Sequence, residues 1–265
     1  MAGAVIDEPG ADEHVKPYLH DTLDTRSLHF SLTEIQSRMQ LLRPDVLDLE
    51  YTRTMMGWLL FKPQPERIAM IGLGGGSLAK FCLRHLPLAS IVVVEINPHV
   101  IALRDAFQVP PDSARLQVIE ADGGRFVRDT GQRFDVLMVD AFDPQGMPAA
   151  LGSRRFYDDC LDVLQPAGLL AVNLHAGHRH CATYIDRICR SFGENVLRVD
   201  DRDASNSVIF ASKGAPLRPV ASGPRRWPAT LAAEPWKQLQ GAFARVASAL
   251  DPRAGVRVDD RSVVR

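Results

Sequence analysis

From Arg67 onward, apolar runs and amphipathic stretches alternate. The runs RIAMIG (67–72), IVVVEI (91–96), LQVIEA (116–121), FDVLMVDA (134–141) and GLLAVNL (168–174) predict buried strands. Between them, SLAKFCLRHL (77–86), PHVIALRDAF (98–107), GRFVRD (124–129), SRRFYDDCLDVL (153–164) and HRHCATYIDRICRSF (178–192) predict helices. Strands that are apolar on both faces need cover on both faces. The alternation therefore predicts a parallel sheet with helices on each side. NVLRVD and SVIFAS, joined by a short Asp/Asn/Ser loop, predict a closing hairpin with an antiparallel final strand.

Upstream the period changes. SLHFSL, SRMQLL and VLDLEY alternate and predict short strands of a small N-terminal β domain, with Arg43-Pro44-Asp45 as a turn. YTRTMMGWLLF (51–61) has helical spacing and ends before Pro63. The expected layout is a flexible tail over 1–26, the β domain with its connecting helix over 27–62, and a Rossmann-like nucleoside-binding domain over 63–213. A linker and C-terminal helix follow over 214–265, and Pro235 argues that this helix starts late.

Composition narrows the partners. The 265 residues are 46% hydrophobic, with 31 Lys+Arg against 32 Asp+Glu, so a large core is affordable and no global basic field for nucleic acid exists. No apolar run is long enough to span a bilayer, and the first residues are acidic with no apolar stretch of a secretory signal. Cys82, Cys160, Cys181 and Cys189 lack C-x-x-C spacing and read as reduced core thiols, so a cytoplasmic protein is expected.

Candidate chemistry clusters where the predicted strands end. Gly72-Leu73-Gly74-Gly75-Gly76-Ser77 follows a strand and opens a helix, the context in which glycines let a ligand approach the backbone and free N–H groups. Glu95 ends the second strand, about 20 residues beyond, where an acid bonds ribose hydroxyls. Asp122 ends the third strand, where an adenine amino group needs an acceptor. All lie at carboxyl ends of parallel strands, the ligand-binding edge of open α/β sheets. NAD proteins use the same turn and acid, but seven strands with a terminal hairpin are similar to the sheet of S-adenosylmethionine-dependent methyltransferases. Asp140 and Asp143 follow the fourth strand in DAFDPQGMPAAL. Two carboxylates in such a loop suit the binding and deprotonation of an amine, since an ammonium has no lone pair for attack.

With these motifs in view, residues 30–212 resemble the spermidine synthase (polyamine aminopropyltransferase) family. That family has a GGGDGG-type turn, an E-I-D strand end, a G-D-G or A-D-G segment and a D-S-S-D-P-type loop. Here stand GLGGGS, Glu95-Ile96-Asn97, Ala121-Asp122-Gly123 and Asp140-Ala141-Phe142-Asp143-Pro144. Ile35-Gln36 resembles the family's I-Q, and Tyr51 the tyrosine of its Y-Q-E or Y-H-E segment. The resemblance implies that Gln36, Gly72, Gly74, Gly75, Glu95, Asp122 and Gly123 hold the nucleoside. It implies that Asp140 is the base, that Asp143 assists in the substrate pocket, and that Tyr51 contacts base or polyamine. The implied reaction is transfer of an aminopropyl group from decarboxylated S-adenosylmethionine to a small-molecule amine, without a metal. The family also commonly pairs into homodimers.

The chain departs from the pattern in the amine half. Gly75 stands where the family has an acid that holds the aminopropyl ammonium, and loss of that acid opens the position to the carboxylate of intact S-adenosylmethionine. Thr52 and Arg53 replace the Q-E or H-E pair, and an arginine is a poor neighbour for a dicationic diamine. The loop Asp200–Asn206 lacks the family's tyrosine and brings Asp200, Asp201 and Asp203. A methyltransferase and a non-catalytic nucleoside-binding protein stand as alternatives. His175, His178 and His180 lack zinc-site spacing, and His175 is the candidate for lining the acceptor pocket.

Overall fold

The computed structural model describes residues 14–31, 35–142, 146–220 and 231–251. Its centre is a seven-stranded sheet of order β6-β5-β4-β7-β8-β10-β9. The strands are β4 (Arg67–Ile71), β5 (Ser90–Glu95), β6 (Leu116–Glu120), β7 (Phe134–Val139), β8 (Leu164–His175), β9 (Val196–Asp200) and β10 (Asn206–Ser212). The first five are parallel, whereas β10 runs antiparallel to both β8 and β9, as the closing hairpin predicts. This is the α/β, methyltransferase-like architecture expected from the alternation.

The helices are α1 (Glu50–Met55), α2 (Ser77–His85), α3 (Pro98–Ile101), α4 (Gly123–Asp129), α5 (Arg154–Val163), α6 (Cys181–Phe192) and α7 (Ala233–Ala249). One face of the sheet is sealed by α5 and α6 through Tyr157, Cys160 and Ile188. The other packs on α2, α7 and the 3-10 turn Met56–Leu60, where Trp58 is fully buried and donates to the Met138 sulfur at 3.3 Å. Cys82, Cys160 and Cys181 are buried, and burial pushes their thiols above the usual range. Among the described residues no helix is long and apolar enough to cross a membrane.

The N-terminal sheet has three antiparallel strands, β1 (Tyr18–Asp21), β2 (Thr25–His29) and β3 (Ile35–Gln40). Two expectations are corrected here. The stretch read as a tail over 1–26 contains β1, held by pairing with β2 and by Asn97 Nδ2 donating to the Val15 carbonyl at 2.9 Å. VLDLEY is not a strand. Arg53 takes the Leu47 and Asp48 carbonyls at 2.6 and 2.9 Å, and Gln238 of α7 accepts from the Leu47 N–H at 3.1 Å. Those backbone groups are thereby satisfied without a ladder.

Two helix ends also differ. The segment 98–107 is helical only to Ile101, and Gln108 stands at a φ of 52°. Lys80, buried on α2, caps that region by donating to the Phe107 carbonyl at 2.6 Å. In α7, Pro235 sits in the first turn, two residues beyond the start. First-turn N–H groups lack an intrahelical partner anyway, so proline does not delay the start. The linker expected after 213 lies partly outside the described residues.

Candidate active site

The chain steps outward from β4 to β5 and β6, then returns to β7 on the other side of β4. A crevice opens at such a reversal, beyond the carboxyl ends of the strands. There a cavity of about 520 Å³ lies between the strand ends, the N-terminal sheet, α1 and the β9–β10 loop.

The glycine turn builds its floor. Gly72 has a φ of +96°, and a Cβ there would sit 2.2 Å from the Asp140 carbonyl oxygen. Only glycine permits this approach of the two strand ends. Gly72→Ala is expected to destabilise the fold by about 3 kcal/mol through strain and overlap combined. Urea unfolding checks this, and a loss below ~0.5 kcal/mol would contradict the close approach. Gly123 is equally tight, with a Cβ 2.4 Å from Ile71 Cγ2, and lets α4 start against β4. Gly74 is in the left-handed region at +50° and lines the cavity.

Gly75 departs from expectation. It does not line the cavity, and a Cβ on it would meet Phe107 Cδ1 and Ser37 Oγ at 2.7 Å. The position where the family carries an acid is filled by β3 and by the segment after α3. Loss of the acid thus goes with packing rather than with an emptied subsite.

At one end of the cavity are the two expected nucleoside acids. Glu95 is buried, with Oε2 accepting from the Leu73 N–H and Oε1 from the Asn97 N–H, both at 2.9 Å. Burial pushes its carboxyl upward, and the backbone donors oppose that. The carboxylate therefore ties the glycine turn to the strand end while facing the cavity. Asp122 does two jobs. Its Oδ1 caps α4 by accepting from the Arg125 N–H at 2.7 Å, and the residue lines the cavity. Gln36 lines it from β3.

At the other end stands Asp140, the first residue after β7. Asn173 of β8 donates from Nδ2 to Asp140 Oδ1 at 3.0 Å, and the Tyr51 hydroxyl lies beside this carboxylate. The same hydroxyl donates to the Gln36 carbonyl at 3.3 Å. Burial pushes the Asp140 carboxyl up to about 6, against the lowering effect of Asn173 and Tyr51. Tyr51 is held well above its ordinary value by burial and by the Asp140 charge. His175 ends β8, lines the cavity and stacks on Phe142 at 4.2 Å. His178 instead stacks on Tyr184 at 6.1 Å, in a small recess behind Phe142 and His175. Asp143 lies outside the described residues.

The arginine objection falls away. The Arg53 guanidinium is committed to the Leu47 and Asp48 carbonyls and does not line the cavity. Glu50 does line it, paired with Arg245 of α7 at 2.9 Å. Of the three loop carboxylates, Asp201 and Asp203 line the cavity, while Asp200 turns to Arg198 at 2.8 Å. Burial pushes the Asp201 carboxyl up, and Ser205 donors lower that of Asp203. Glu50, Asn173 and Asn206 escape a motif search. Asn173 left one signal, an amide inside an otherwise apolar strand.

Comparison with known proteins bears on the fold and the family. The model of the spermine/spermidine synthase domain matches residues 49–198, more than half of the chain. A polyamine aminopropyltransferase of Chromobacterium violaceum is 38% identical over 192 residues, covering 72% of this chain and 74% of the relative. A probable spermidine synthase from Corynebacterium glutamicum shares the fold at a TM-score of 0.66 and 19% identity, covering 94% of this chain and 95% of that one. Human methyltransferase-like protein 13, solved with SAH, shares it at 0.57 and 22%, covering 82% and 98%. With a family model matched over residues 49–198 and a relative 38% identical over 72% of the chain, the chain belongs to the spermine/spermidine synthase family.

Proposed function

We propose that this enzyme moves an aminopropyl group from decarboxylated S-adenosylmethionine to a small-molecule amine, with Asp140 as the base. The observation that carries the reading is the Asp140 carboxylate, held by Asn173 beside Tyr51 in the cavity that also contains Glu95 and Asp122.

Glu95, Asp122 and Gln36 take the adenosine portion on the β5 and β6 side. The sulfonium then lies toward the β4–β7 switch point. The acceptor enters beside Tyr51, His175 and the Asp201/Asp203 loop, and acidic groups there suit a cationic amine. Attack proceeds in line. The amine nitrogen bonds to the aminopropyl carbon, the carbon–sulfur bond breaks, and the electron pair leaves on the sulfur of methylthioadenosine. Asp140 accepts the amine proton. A carboxyl near 6 is ionised at neutral pH yet more basic than an ordinary carboxylate, which suits this task. A sulfonium is already a good leaving group, so the protein's share is positioning, exclusion of water and proton removal. Asp143 is assigned to the acceptor pocket on the family's motif alone.

Purified protein incubated with decarboxylated or intact S-adenosylmethionine, each with a panel of diamines and polyamines, tests the reading by mass spectrometry. Methylthioadenosine that forms only when an amine is present is the expected result and names the acceptor. S-adenosylhomocysteine from the intact donor would replace the reading with methyl transfer.

A further inference from the structure

The Asp140 base has a partner, and that partner has one of its own. Asn173 is buried in β8 with its amide between two groups. Its Nδ2 donates to Asp140 Oδ1 at 3.0 Å, and its Oδ1 accepts from Asn206 Nδ2 at 2.9 Å. An asparagine amide is nearly symmetric in shape but not in polarity. Turned one way it gives a donor to a carboxylate, and turned the other way it offers an acceptor that only a protonated acid welcomes. Asn206 settles the choice, because its own oxygen takes Ser205 Oγ and its NH₂ is thereby turned to the Asn173 oxygen.

Sheet register places the three groups together. In the antiparallel β8–β10 pair, Asn173 lies opposite Val208 and His175 opposite Asn206, so Asn173 and Asn206 are diagonal neighbours on one face. Asn206 is itself held. Its N–H donates to Asp201 Oδ1 at 3.1 Å, its carbonyl accepts from the Asp201 N–H at 3.0 Å, and Ser205 Oγ lies 3.0 Å from its side-chain oxygen. The chain of contacts runs from the β9–β10 loop to the base.

We infer that Asn206 is a positioning residue, which locks the Asn173 amide so that it presents a donor to Asp140 and thereby keeps that carboxyl an ionised, oriented base. The inference rests on the base reading above. It makes the loop that carries Asp201 and Asp203 part of the proton-accepting apparatus as well as part of the acceptor's entrance.

Other titratable groups share the cavity with Asp140. Tyr51 and Glu50 come from α1, Glu95 from β5, and Asp122 from the end of β6. His175 comes from β8, His14 from the N-terminal segment, and Asp201 and Asp203 from the hairpin loop. Removal of the Asn206 side chain leaves all of these charges in place, so a shift at Asp140 reports the amide rather than a lost charge.

The test is the Asn206→Ala variant. Without the lock the amide is free to turn, the donor bond is lost for part of the time, and the Asp140 carboxyl rises by roughly one pH unit. The acidic limb of kcat/KM moves to higher pH by that amount, whereas kcat on the alkaline plateau changes less. A carbon-13 titration of the Asp140 carboxyl reads the same shift without turnover. In an Asn173→Leu background, Asn206→Ala is expected to add no further shift, because it acts through Asn173. An unmoved limb and titration in Asn206→Ala, with Asp140→Asn inactive, would overturn the inference and leave the base reading intact. An active Asp140→Asn would overturn the base reading, and the inference with it. If Asn206→Ala fails to fold, Asn206→Ser is measured against the same two criteria.

Discussion

Asp140→Asn is expected to lower kcat by about 10²–10⁴-fold while methylthioadenosine binds with affinity within about threefold of the parent protein. The asparagine keeps the acceptor for Asn173 Nδ2 and fills the same volume between Asn173 and Tyr51. It has no lone pair basic enough to take the amine proton. The same substitution is expected to raise stability, and the sign follows from linkage. The folded-state carboxyl is raised to about 6, so the folded chain binds more protons than the unfolded one between the ordinary carboxylate value and 6. Stability from this group is therefore lost as pH rises through that window, and the cost is fully present at pH 7. A neutral amide removes it. The gain is about 1–2 kcal/mol, reduced from the full shift because Asp140 borders an open cavity. Calorimetric titration, single-turnover assays and thermal melts at pH 5 and 7 read the three effects. Retained turnover would remove Asp140 as the base.

Glu95→Gln is expected to produce the opposite pattern. The carboxylate offers both oxygens to backbone donors, from Leu73 on one side and Asn97 on the other. A glutamine offers only one oxygen and turns an NH₂ toward the second N–H, leaving a buried donor without an acceptor. The glycine turn then loses its tie to β5, and a ribose loses its charged acceptor. Affinity for methylthioadenosine is expected to fall by about 10–100-fold, the weight of a hydrogen bond to a charged group. kcat at saturating donor should fall much less. Undiminished nucleoside affinity would show that Glu95 serves the fold alone. Together the two variants form a crossed pair, one losing turnover with binding kept, the other losing binding with turnover largely kept.

Much of this was legible in the residues. The strand and helix alternation follows from hydrophobic period, which is local. Gly72 was conspicuous because a chain that turns under a strand end needs a residue without a Cβ. Glu95, Asp122 and Asp140 could be placed because parallel strands put their carboxyl ends on one edge. Gln36 and Tyr51 came only from family likeness, yet both line the cavity. The errors share a cause. Arg53 was set against a dicationic acceptor from chain position, but two carbonyls from the preceding turn capture it. Gly75 was read as a vacated charge, but Ser37 and Phe107, 38 and 32 residues away along the chain, occupy its surroundings.

By itself, then, the amino-acid order determined the α/β architecture, the strand edge where the cavity opens and the place of Asp140 on it. Those depend on the period of apolar residues and on short motifs whose geometry is set within one strand and turn. Tertiary structure alone decided the rest of the cavity lining. It brought Glu50 to the cavity through its pairing with Arg245, turned Asp201 and Asp203 inward and Asp200 outward, and joined Asn206 to Asn173 and Asp140. These contacts depend on the register between β8 and β10 and on how α1 and α7 pack across the sheet. Such relations are fixed by the energy of the whole core, and no window of residues contains them.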